Sequence, residues 1–94
     1  RKIKRETPDN VAVGEARINA LGSSLLGEKK LVEAIAVFSL NVEMYPRSSN
    51  VYDSLGDAYM ANGEIELAIA NYKKALELDP KNQNAEKMLK KLQR

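Results

Sequence analysis

Residues Ser49–Asn82 read SNVYDSLGDAYMANGEIELAIANYKKALELDPKN. The preceding stretch, Glu15–Ser48, reads EARINALGSSLLGEKKLVEAIAVFSLNVEMYPRS. Laid over one another with a shift of 34 and no gap, the two agree at seven positions: Leu21/Leu55, Gly22/Gly56, Ala34/Ala68, Ile35/Ile69, Ala36/Ala70, Glu43/Glu77 and Pro46/Pro80. Other pairs keep their character, among them Leu25/Tyr59, Leu31/Ile65, Phe38/Tyr72 and Met44/Leu78. A fixed period of this length, with two apolar helical patterns in each copy, is the mark of an array of helical hairpins.

The elements follow from stop and start residues. Thr7-Pro8 opens the first helix, with threonine as cap and proline in the first turn, where no amide hydrogen is needed. Val11, Ile18, Leu21 and Leu25 continue it, and Gly27 with Glu28-Lys29-Lys30 ends it. A second helix carries Leu31, Ile35, Phe38 and Val42 and stops at Tyr45-Pro46. Ser48-Ser49-Asn50 offers caps for a third, which carries Tyr52, Leu55 and Tyr59 and ends at Asn62-Gly63, with Gly63 suited to a left-handed turn. A fourth carries Ile65, Ala68, Ile69, Tyr72 and Leu76 and stops at Asp79-Pro80. Asn82 caps a last helix with Ala85, Met88, Leu89 and Leu92. No stretch alternates with period two for long enough to predict a strand. Gly22/Gly56 and Ala34/Ala68 are expected where the helices of a hairpin cross, because small side chains let backbones approach while Phe38 and Tyr72 fill the flanks.

These positions resemble the tetratricopeptide repeat (TPR) family. Tyr52, Leu55, Gly56, Tyr59, Gly63, Ala68, Tyr72, Ala75 and Pro80 match its pattern in the second copy, and Ile18, Leu21, Gly22, Leu25, Ala34, Phe38 and Pro46 in the first. The first copy departs at Asn41, where alanine is expected, and at Lys29, where a turn glycine is usual. The resemblance implies an all-α fold, a right-handed helical-hairpin superhelix (an α-α solenoid) of two TPR hairpins and a C-terminal capping helix. The expected organisation is a basic lead-in over residues 1–6 and a single TPR domain over 7–94. Within it, repeat one spans 15–48, repeat two 49–82 and the capping helix 83–94.

Composition narrows the function. Ninety-four residues, 30 % charged and 44 % hydrophobic, suit one folded domain with a modest core. A net charge of +2 is too small to argue for nucleic acid. Without cysteine or histidine, neither a Ser-His-Asp nor a Cys-His catalytic set can be built, and thiolate metal sites are excluded. No run approaches the ~20 apolar residues of a membrane span. No enzyme activity, cofactor or metal is expected of this stretch. Asp53 and Asp57, one helical turn apart, can be read as an acid–base or metal pair, but a lone pair of this kind lacks further ligands and reads better as a solvated face. The cluster Arg1, Lys2, Lys4 and Arg5 reads as a solvated lead-in or, alternatively, as a contact to an anionic surface. The chain opens on Arg1 rather than Met, which predicts a piece of a longer polypeptide.

Stacked hairpins leave a concave face. In the family this face is lined mainly by the first helix of each repeat. Carried over, it places Ala16, Asn19, Ser23, Leu26 and Gly27 from the first repeat beside Asn50, Asp53, Asp57, Met60 and Ala61 from the second. The capping helix adds Asn84, Lys87 and Lys91. The expected partner is a protein or peptide. One subfamily clamps a peptide carboxylate with lysine and asparagine, but its positions here hold Asn19, Ser23, Ser54, Asn84 and Met88, so that role is not expected. Two other readings stay open. The runs Asn50–Tyr59 and Ala85–Leu92 resemble the repeat tails that follow bacterial serine-hydrolase (beta-lactamase-like) domains, which implies an accessory docking or dimerisation domain. The start of the first helix, with Val11 and Val13, offers a surface for self-association.

Overall fold

The computed structural model describes residues 8–93, and their side chains from residue 14 onward. The Thr7 cap and the basic lead-in lie outside the described residues, and the surface expected of Val11 and Val13 lies outside the described side chains. Five helices follow in order: α1 (Pro8–Gly27), α2 (Leu31–Met44), α3 (Ser49–Ala61), α4 (Ile65–Leu78) and α5 (Gln83–Leu92). No strand occurs among the described residues. Each helix packs on the next, so α1/α2 and α3/α4 form hairpins and α5 closes on α4, as in a TPR-type helical-hairpin solenoid. α1 also touches α3, which puts the first helices of successive hairpins side by side.

Both hairpin turns are built alike. The amide of Lys30 donates to the Leu25 carbonyl at 2.9 Å and that of Lys29 to Leu26 at 3.0 Å. Thirty-four residues on, Glu64 donates to Tyr59 at 2.9 Å and Gly63 to Met60 at 3.0 Å. These paired bonds define a Schellman ending, which needs a left-handed residue at its pivot. Gly63 supplies it at φ 82°, and Lys29 adopts the same region at φ 64° despite its side chain. The helix that follows the Pro46 turn starts differently from expectation. Ser48 precedes α3 but makes no side-chain cap bond. Its hydroxyl donates to Glu15 Oε2 at 2.6 Å, and that of Ser49 donates to the Ala75 carbonyl at 2.8 Å. These hydroxyls therefore tie separate helices together instead of capping one. Asn82 does cap α5, accepting from the Ala85 amide at 3.0 Å.

The core lies between successive helices in two clusters. Ala34 and Phe38 of α2 enclose Leu55 and Ala58 of α3. Ala68, Tyr72 and Ala75 of α4 enclose Ala85, Met88 and Leu89 of α5. Glycine is required at the tightest crossing. A Cβ on Gly56 would sit 2.8–3.0 Å from three carbons of the Tyr72 ring, and one on Gly22 would overlap Phe38 in the same way. The register of the clusters explains one departure. Leu55 is 6 % exposed against α2, and Leu89, thirty-four residues later, is buried against α4. Leu21 holds the same register in α1, yet it is 55 % exposed, because among the described residues no helix precedes α1 to cover it.

Asn41, which replaces the family's alanine, is fully buried. Its Nδ2 donates to the Glu15 carbonyl at 3.1 Å, while its Oδ1 has no partner. In the second hairpin the corresponding junction reverses direction, with residue 49 reaching the carbonyl of residue 75.

Candidate functional site

The first helices present a continuous polar wall. α1, α3 and α5 are linked across it by side chains at nearly repeating intervals. The Ser54 hydroxyl donates to Asn19 Oδ1 at 2.6 Å between α3 and α1. Asn84 Nδ2 donates to Asp53 Oδ1 at 2.7 Å between α5 and α3. Asn82 Nδ2 donates to Ser49 Oγ at 2.8 Å and fixes the lower edge of the same junction.

Between α1 and α3 the wall opens into a cleft of about 550 Å³, lined by Glu15, Ala16, Asn19, Ser48, Asn50, Asp53 and Ser54. Of the residues expected on the concave face, Ala16, Asn19, Asn50 and Asp53 meet there. The others lie elsewhere on the same helices. Ser23 is exposed one turn beyond Asn19, and Lys87 and Lys91 are exposed on α5. Leu26 and Met60 are half-buried and pack against the two core clusters. Asp57 accepts a short hydrogen bond from the buried Tyr72 hydroxyl, so its carboxylate ties α3 to α4. Glu15 and Ser48 were not among the expected wall residues. Glu15 stands one position before the family's usual contact set, and its pairing with Ser48 joins residues 33 apart in sequence.

Burial acts on the ionisable groups of the wall. Asp53 is held above its ordinary carboxylate value, mainly by desolvation, with the nearby Asp57 charge adding to it and the Asn84 bond opposing it. The Tyr72 hydroxyl is raised well beyond the usual phenol range, first by burial and then by donating to Asp57. The wall thus offers fixed hydrogen-bond acceptors and donors along the cleft. Among the described residues, no group of three or more His, Cys, Asp or Glu side chains is placed to hold a metal ion. No helix among them is long and apolar enough to cross a membrane.

Paired helices stacked in register, with a polar cleft between their first members, define a helical-hairpin repeat protein. Residues 56–85 match the family model described as TPR repeat. The chain is similar to the tetratricopeptide repeat domain-containing protein PYG7, chloroplastic, of Arabidopsis thaliana, at 39 % identity over 71 % of its own length. It is also similar to the heat shock protein STI1 of Saccharomyces cerevisiae, at 36 % identity over 95 % of its length. The chain spans 22 % and 14 % of these two relatives.

Proposed function

We propose that this chain is a non-catalytic interaction module that seats a segment of a protein partner along the wall formed by α1 and α3. The carrying observation is the 550 Å³ cleft whose lining side chains are pinned from helix to helix. Preformed hydrogen-bonding groups lower the ordering needed on binding, which favours recognition of an extended peptide. In this reading residues 7–94 act as one TPR unit, with repeats at 15–48 and 49–82 and a capping helix from 83. Two repeats make a short wall, so a linear peptide should bind weakly unless further contacts contribute. The absence of lysine or arginine at the clamp positions Asn19, Ser23, Ser54, Asn84 and Met88 argues against a partner held by its terminal carboxylate.

A photo-crosslinking side chain at Asn50, on the cleft, and another at Ala70, on the outer side of α4, test the reading. A partner captured at position 50 and not at 70 supports it; equal capture, or capture at 70 alone, removes it. A second reading, an accessory domain attached to a serine hydrolase, rests on the runs Asn50–Tyr59 and Ala85–Leu92. The coding sequence upstream decides that point. Pairing of two copies through the first hairpin is a further proposal, and a mass that stays monomeric in light scattering at all concentrations removes it.

A further inference from the structure

The charges around the cleft are unbalanced. Glu15 and Asp53 both line it, and among the described residues no lysine or arginine does. Ion pairs among the described residues join Lys30 to Glu28, Lys74 to Glu77 and Lys90 to Glu86, all away from the cleft. Arg47 lines an adjoining depression with Tyr45 and Pro46, which shares Glu15 and Ser48 with the cleft. Lys87 and Lys91 stand on α5, beyond the Asn84–Asp53 link. Ser54 bonds Asn19, while Glu15 and Asp53 each accept one side-chain bond, from Ser48 and Asn84, and a carboxylate has lone pairs for more. The charged recognition capacity of the cleft is anionic, and it sits in a recess where solvent screens charge less than on an open face.

We propose that the α1–α3 cleft selects a partner segment carrying a lysine or arginine side chain, held between the Glu15 and Asp53 carboxylates. This rests on the docking reading above and adds its chemistry. The charge of the cleft favours a cation, and a carboxylate-ended peptide meets like charge there. The Ser48 and Asn84 bonds hold the two acceptors in place before the ligand arrives, so an incoming cation need not order them.

The test uses the 94-residue chain and three labelled peptides of identical length, a Gly-Ser frame carrying two arginines, two glutamines or two glutamates. Fluorescence anisotropy measures affinity at low and high salt, and a photo-crosslinker at Asn50 reports location. The arginine peptide should bind most tightly, weaken with salt and crosslink at position 50. Glu15→Gln and Asp53→Asn keep shape and hydrogen bonding; together they should weaken arginine-peptide binding by roughly threefold or more, with the glutamine peptide unaffected. Equal affinity for the arginine and glutamine peptides, with crosslinking retained at Asn50, overturns the charge selection and leaves the docking site standing. No peptide crosslinking at Asn50 overturns both.

Discussion

Gly56→Ala places a methyl group against the ring of Tyr72, with contacts of 2.8, 2.9 and 3.0 Å to Cε1, Cδ1 and Cζ. Relaxed carbon contacts lie near 3.5–4.0 Å, so roughly half an ångström or more must be found at three atoms at once. The ring has no free direction to retreat. Tyr72 is fully buried, and its hydroxyl is tied to Asp57 of α3 itself. Overpacking of this kind costs about 1–3 kcal/mol, while replacing a helical glycine by alanine returns about 1 kcal/mol of propensity. The net expectation is a loss of up to about 2 kcal/mol, which for a chain of this size lowers Tm by up to roughly 16 °C. The control is Gly27→Ala, also helical but with nothing within 4 Å of the added Cβ; it should leave Tm unchanged or raise it. Thermal unfolding followed by circular dichroism measures both. A Gly56→Ala protein as stable as Gly27→Ala would refute the close crossing.

Lys29→Gly relieves a left-handed side chain at φ 64° and should stabilise by about 0.5–1 kcal/mol, read from the urea midpoint; a fall in midpoint would contradict the Schellman turn. Leu55→Ala should cost about 2–5 kcal/mol and Leu21→Ala within about 0.5 kcal/mol, although both occupy the same repeat position; equal losses would show that Leu21 is covered. Asp53 is raised above its ordinary value of 3.8, so the native state binds its proton more tightly than the unfolded chain, and stability attributable to this group falls as pH rises through the native value. Asp53→Asn should therefore be the more stable protein at pH 7, with the gap closing as pH drops and vanishing below 3.8; a gap independent of pH would contradict the assignment.

Much of the architecture is legible in the chain because its determinants are local. Pro46 and Pro80 stop helices wherever they stand, Gly63 marks a left-handed pivot, and Asn82 caps the amide three residues ahead. The 34-residue repetition then says that neighbouring helices pair alike. What escapes such reading depends on which neighbour is present. Leu21 carries the repeat's residue but not its burial, since burial belongs to the helix that precedes it. Ser48 and Ser49 look like caps, and only the stacked helices turn their hydroxyls toward Glu15 and Ala75. The cleft is legible in part. Asn19, Asn50 and Asp53 follow from their places on the first helices, whereas Glu15 joins through a partner 33 residues away that no local pattern signals. Leu26 and Met60 share the register but have the length and apolarity to fold back onto the core.

Amide chemical-shift mapping of the labelled chain, titrated with a captured partner, examines the interaction surface residue by residue. The account predicts that Asn19, Asn50, Asp53 and Ser54 move together while Ala36 and Ala70 on the outer helices stay still. Movement concentrated on α2 and α4, with the α1–α3 cleft silent, would contradict it.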